Sequence, residues 1–187
     1  KNDRGFVYLD DYYFAESYIA GRIGVMQAFS SPEDFDYEKL IDIEEEQNGI
    51  HYETLQRKAI TTALSRGIMI LTGGPGTGKT TTLNAIISLY EKKGESVMLA
   101  APTGRAAKRM SDLTGRDAKT IHRLLEVEFD AGGKLKFKHN ENDPLECDVV
   151  VIDEMSMVDV LLFESFLRAL RLNCRLVMVG DGDQLPS

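Results

Sequence analysis

Residues 73–80 read Gly-Gly-Pro-Gly-Thr-Gly-Lys-Thr, and that octapeptide restricts the chain more than any other segment. It fits G-x-x-x-x-G-K-[ST], a loop that wraps phosphate groups with its own backbone. Backbone N–H groups converge on an anion only where side chains stay clear, which Gly73, Gly76 and Gly78 permit. In such a loop the Lys79 ammonium reaches the β- and γ-phosphates and the Thr80 hydroxyl ligates Mg²⁺. The flanks agree: 68–72 (Ile-Met-Ile-Leu-Thr) is a short apolar strand, and 81–87 opens a helix whose N-terminus faces the phosphates. The residues expected to line the nucleotide are Gly74, Pro75, Gly76, Thr77, Gly78, Lys79, Thr80 and Thr81. The ligand expected is a nucleoside triphosphate with Mg²⁺.

The chain has 187 residues, enough for one full domain with an appendage. Its two cysteines, Cys147 and Cys174, lie far apart in sequence and suggest neither a disulfide framework nor a zinc site, so a cytoplasmic setting is expected. No apolar run reaches membrane-spanning length and no signal sequence is seen. Position 1 is Lys rather than Met, and the expectation is that the chain is a piece of something longer. Net charge is −8, which argues against a nucleic-acid partner until its distribution is considered. Residues 1–55 hold 13 acidic and 4 basic side chains, whereas 56–187 hold 17 and 18. Arg105, Lys108, Arg109, Arg116, Lys119 and Arg123 crowd one stretch, with only Asp112 and Asp117 among them. A local footprint for a phosphate backbone is therefore open.

Residues 1–51 read as a helical accessory segment. Tyr12, Ala15, Ile19, Ile23 and Met26 recur at helical spacing, Ser31-Pro32 is a helix start, and Glu44-Glu45-Glu46 is expected to be a solvated face. From residue 52 helix and strand alternate. A helix over 54–66 precedes strand one at 68–72; strand two is 97–101, followed by helix to about 126; strand three is 148–153 and strand four 175–179. This is the pattern of an α/β fold with a parallel sheet. Residues 127–138 alternate apolar and polar around Gly132-Gly133, predicting an inserted β-hairpin.

Asp153 and Glu154 fall at the carboxyl end of strand three, where parallel sheets bind ligands. One carboxylate there can hold Mg²⁺ and the other can activate the attacking water. Gln184, after strand four, could hydrogen-bond the γ-phosphate or that water. The catalytic set expected is Lys79, Asp153, Glu154 and Gln184, with Thr80 and Asp153 as metal ligands.

Taken together, these motifs resemble the superfamily 1 DNA helicases, within them the RecD-like branch, over about 52–187. Gln56 looks like the adenine-reading glutamine, 73–81 like motif I, Ala101-Pro102-Thr103-Gly104-Arg105-Ala106-Ala107 like motif Ia, and Thr120-Ile121-His122-Arg123-Leu124-Leu125 like the DNA-contacting segment after it. Residues 150–159 (VVIDEMSMVD) resemble motif II and 180–187 (GDGDQLPS) motif III. The resemblance implies a RecA-like P-loop NTPase domain with sheet order 2-3-4-1, and single-stranded DNA held by Thr103, Arg105, Thr120, His122 and Arg123. His122 is placed near DNA with no chemical role; His51 and His139 read as surface residues, Met155 and Met157 as core. It implies also that 52–187 is the first of two RecA-like domains, ending after motif III. The second would bring arginines to the γ-phosphate, so the fragment is expected to bind ATP, hydrolyse it poorly and unwind nothing. The full-length protein would translocate 5′ to 3′. Two alternatives stay open: the helicase-like module of a conjugative relaxase, and a non-motor P-loop nucleotide-binding protein.

Overall fold

The computed structural model describes residues 9–29, 36–74, 76–129 and 135–180. In chain order the elements are α1 (Asp10–Phe29), α2 (Tyr37–Asn48), α3 (Thr54–Ser65), β1 (Ile68–Thr72), α4 (Lys79–Lys92), β2 (Val97–Ala101) and α5 (Gly104–Thr114). They continue with β3 (Ala118–Thr120), α6 (Ile121–Leu125), β4 (Val127–Phe129), β5 (Leu135–Phe137), β6 (Val149–Ile152), a one-turn 3₁₀ helix at Met155–Met157, α7 (Val160–Ala169) and β7 (Arg175–Gly180). Five strands form a sheet in the order β1-β7-β6-β2-β3, every pair parallel. The strand preceding Gly180 is inserted between the phosphate-loop strand and the Asp153 strand, as expected.

Alternation within the central strands divides the core. Val149 and Val151 of β6, with Val177 and Val179 of β7, face one layer; Val150, Ile152, Leu176 and Met178 face the other. All four β6 residues are buried, as a strand covered on both faces requires. The first layer contains Ile60 and Leu64 of α3, Ile86, Leu89 and Tyr90 of α4, and Met110 of α5. The second contains Ile121 and Leu125 of α6 with Phe163, Phe166 and Leu167 of α7. The amino-terminal helices divide likewise. Met26 of α1 packs in the second layer, and Tyr37 and Ile41 of α2 in the first.

Several expectations change. Residues 118–120 are a parallel edge strand rather than helix, paired to β2 through Leu99↔Ala118 and Ala101↔Thr120; three residues are too short for a periodic signal. Tyr12 is 42% exposed, so the buried stripe of α1 begins later, at Ala15. The acidic run of α2 is not a solvated face. Glu44 is 2% exposed and ion-paired to Lys92 of α4, with Asn48 Nδ2 donating to it at 2.8 Å. Glu45 accepts from the Tyr52 backbone N–H at 2.7 Å and from Arg57 at 2.9 Å. That backbone bond, with Arg57, holds the Glu45 carboxyl below its ordinary range. Arg57 also reaches Glu38 and Asp42, at 2.8 and 2.7 Å. Only Glu46 remains exposed. Met157 is 47% exposed, while Met155 packs in the core. His139 is half-buried between Glu126 and Asp143, whereas His51 is exposed.

The hairpin is present. Val127, Glu128 and Phe129 pair with Phe137, Lys136 and Leu135 in antiparallel register. Its Gly-Gly turn and the Ser31-Pro32 helix start lie outside the described residues. Cys147 and Cys174, distant in sequence, bring their sulfurs to 3.9 Å because they precede neighbouring strands.

Glu44 gives a test of how α2 is held. Lys92→Met leaves a buried carboxylate without its cation and should cost roughly 1–3 kcal/mol in urea unfolding. Adding Glu44→Gln should restore part of that stability; no restoration would show that Lys92 acts through packing alone.

Candidate nucleotide and nucleic-acid site

The phosphate loop leaves β1 at Thr72 and enters α4 at Lys79. Gly76 and Gly78 sit at φ 75° and 79°, a left-handed conformation that other residues rarely adopt. A Cβ on Gly73 would lie 2.8 Å from the Thr77 hydroxyl, so the cradle closes only around glycine. Thr77 Oγ1 donates to the Gly74 carbonyl at 2.9 Å, and Lys79 Nζ donates to the Gly74 carbonyl at 2.8 Å and to that of Gly73. Buried Thr82 ties its hydroxyl to the Gly78 carbonyl at 3.1 Å, anchoring the first turn of α4. Thr80 and Thr81 remain exposed. Pro75 lies outside the described residues.

Gln56 comes to this loop from α3. Its Oε1 accepts from the Glu53 backbone N–H at 2.9 Å, closing a capping box. Its Nε2 occupies the space that a Gly78 side chain would need. A glutamine far from the loop in sequence is thereby fixed against it.

Because the sheet is parallel and closely registered, its carboxyl ends line up. Thr72 pairs with Gly180, Met178 with Ile152, Ile152 with Ala100, and Ala101 with Thr120. The phosphate loop, the Asp153–Glu154 pair and the starts of α5 and α6 therefore emerge on one edge. Asp153 follows β6 directly, its N–H donating to the Ala100 carbonyl at 3.0 Å. Glu154 is left-handed at φ 55°, uncommon outside glycine, and its N–H donates to Asp153 Oδ1 at 2.8 Å. Its carboxylate accepts from Arg109 Nη1 of α5 at 3.4 Å, a contact that no local sequence pattern foretells. Gln184, the remaining catalytic candidate, lies outside the described residues.

Both threonines assigned to DNA are helix N-caps. Thr103 Oγ1 accepts from the Ala106 N–H at 3.2 Å, and Thr120 Oγ1 from the Arg123 N–H at 3.1 Å. Arg105, His122 and Arg123 are exposed, and the His122 ring lies 5.9 Å from that of Phe137 in the hairpin. The basic cluster divides in space. Arg116 is held by both Glu91 oxygens, at 2.7 and 2.6 Å, and is taken out of any shared footprint. Arg105 and Arg109 instead line a cleft of about 500 Å³ with Thr103, Ala106, Glu154 and Met157.

The donor set suits Mg²⁺. Thr80 and Asp153 offer hard oxygen ligands, and Mg²⁺ bound through nucleotide phosphates needs only one or two from protein. Among the described residues no cluster of three or more His, Cys, Asp or Glu is placed to hold a metal. No described helix is long and apolar enough to cross a membrane.

Such a loop, carboxylate pair and parallel sheet define a P-loop NTPase domain, and comparison gives its family. A family model described as an AAA domain matches residues 56–187. The chain belongs to that family, and its likeness is to the RecD-type superfamily 1 helicases. It is 46% identical over 119 residues to the ATP-dependent RecD2 DNA helicase of Deinococcus radiodurans, covering 64% of this chain and 16% of that protein. It is 41% identical over 155 residues to the RecBCD enzyme subunit RecD of Mycolicibacterium smegmatis, covering 71% and 28% respectively. Among solved structures, the Pif1 helicase from Candida albicans is similar with a TM-score of 0.54 and 32% identity, over 73% of this chain and 34% of that one. The chain thus spans less than a third of the length of these curated relatives.

Lys79→Ala tests the nucleotide site. A unit charge about 4 Å from a phosphate at an effective dielectric of 20 is worth up to about 4 kcal/mol before desolvation. Mg-ATP affinity should therefore fall by one to two orders of magnitude in calorimetric titration, and equal affinity would remove the site.

Proposed function

We propose that this chain is the nucleotide-binding half of an ATP-dependent DNA helicase motor acting on single-stranded DNA. Residues 52–187 form the first RecA-like domain in this reading, and 1–51 an accessory segment ahead of it. The observation that carries the proposal is the shared edge of the sheet. There the phosphate loop, the Asp153–Glu154 pair and the two threonine-capped helix starts stand in one row. The likeness to RecD2 and RecD supports it. A second RecA-like domain of the same protein would close the ATP cleft, and the setting is cytoplasmic.

Within that row each side chain has a task. Lys79 exchanges its bonds to the Gly73 and Gly74 carbonyls for charge-assisted bonds to phosphate. The loop N–H groups of 74 and 76–81 cradle the same phosphates, and Gln56, held against Gly78, would read the adenine edge. Thr80 and Asp153 would hold Mg²⁺, which when bound neutralises charge on the β- and γ-phosphates. Glu154 accepts the proton of the attacking water, and Gln184 reports the state of the γ-phosphate. The cap bonds of Thr103 and Thr120 use an oxygen lone pair and leave each O–H free to donate to a DNA phosphate, with Arg105, His122 and Arg123 beside them. The arginines that reach the γ-phosphate would come from the second domain; losing such a group costs about 10³–10⁵ in rate. This piece alone therefore binds ATP, turns it over poorly and does not unwind duplex. With both domains present, translocation runs 5′ to 3′.

Two measurements on protein carrying both motor domains test this. Glu154→Gln should retain ATP binding while turnover falls by roughly 10²–10⁴, since an amide cannot take the water's proton; parallel loss of binding would make Glu154 structural. Arg105→Ala with Arg123→Ala should weaken fluorescent oligonucleotide binding for all sequences alike. It should also lower the salt slope by about 0.7 for each DNA phosphate no longer neutralised. An unchanged affinity and slope would move the DNA site elsewhere.

A further inference from the structure

The cleft between α5 and the 3₁₀ turn joins two sites with separate tasks. Its walls include Thr103 and Arg105, assigned to DNA, and Glu154, assigned to the attacking water. Arg109 connects them. It lies one helical turn beyond Arg105 on the same face of α5, and its guanidinium donates to Glu154 Oε1 at 3.4 Å. The two ends of this pair differ in access. The Arg109 side chain is 66% exposed and the Glu154 side chain 19%. Glu154 is also restrained through its backbone, by the left-handed conformation and the Asp153 bond. A phosphate entering the cleft would therefore meet Arg109, the accessible partner, while Glu154 stays in place.

We infer that Arg109 is a positioning residue: it tethers the Glu154 carboxylate to α5 until a phosphate of single-stranded DNA takes the guanidinium, which frees the carboxylate for the attacking water. The inference rests on the reading of Glu154 as the water-activating group. DNA and Glu154 then compete for one cation, and competition is reciprocal. Removing the carboxylate charge must strengthen DNA binding, just as DNA binding releases the carboxylate. The effect is modest, because a pair with one partner this exposed is worth only a few-fold in an equilibrium constant.

The test uses protein with both motor domains and a fluorescent oligothymidylate at low salt, without nucleotide. Glu154→Gln should tighten binding about three- to fivefold, the range of a partly exposed ion pair. In an Arg109→Ala background the same change should do nothing, and Arg109→Lys should keep part of the linkage. In steady-state ATPase assays Arg109→Ala should raise DNA-free kcat by a similar factor with KM for ATP unchanged, shrinking the stimulation by DNA. Unchanged DNA affinity in Glu154→Gln, or an equal gain with and without Arg109, would overturn the inference. So would Arg109→Ala lowering DNA affinity while leaving DNA-free kcat at its original value. Turnover surviving in Glu154→Gln would instead remove the reading on which the inference rests, whereas abolished turnover without linkage removes the inference alone.

Discussion

The parallel ladder between β1, β7 and β6 is the constraint on which the rest of the molecule depends. A parallel sheet sends every strand's carboxyl end the same way, and near-equal registers keep those ends level. Thr72 beside Gly180, and Met178 beside Ile152, set the phosphate loop one strand's width away from β7 and two from the acidic pair. The intervening strand β7 keeps the lysine loop and the carboxylates apart on the same edge. It also requires β6 and β7 to be apolar on both faces, since helices cover each side. The same pairing continued to β2 and β3 delivers the caps of α5 and α6 to that edge. One hydrogen-bond pattern thereby serves both candidate sites.

Part of the acidic charge of α2 is turned toward neighbouring helices. Desolvating a carboxylate such as Glu44 is unfavourable by itself, and it is tolerated because Lys92 and Asn48 satisfy it. Arg57 gathers Glu38, Asp42 and Glu45 into one network that ties α2 to α3, the helix carrying Gln56. The acidic segment is therefore tied to the helix whose Gln56 lies against the phosphate loop.

The nucleotide and DNA assignments share a further trait: side chains given to a ligand are also bonded within the protein. Lys79 binds its own loop carbonyls, Thr103 and Thr120 cap helices, and Glu154 pairs with Arg109. Such bonds hold each group near its working position and limit the entropy cost when a ligand arrives. A ligand at Lys79 or Arg109 would have to displace an existing partner; at the threonines it would add a bond to one already made.

Local chemistry in the sequence determined much of this protein. Gly73, Gly76 and Gly78 admit few loops other than a phosphate cradle, and Lys79-Thr80 specify what it holds. The apolar run at 149–152 specified a strand covered on both faces, and the spelling of the later motifs pointed to RecD-type relatives. These signals are legible because each depends on neighbours within a few residues. Tertiary structure decided the rest, where partners are distant in the chain. It buried Glu44 by bringing α4 over α2, took Arg116 out of the basic cluster through Glu91, and made an edge strand of 118–120 too short to show a period. Cys147 and Cys174 became neighbours because parallel pairing aligns the starts of β6 and β7, just as it aligns their ends. The pairing of Arg109 with Glu154 is of the same kind, since only the folded sheet sets the flank of α5 beside the end of β6.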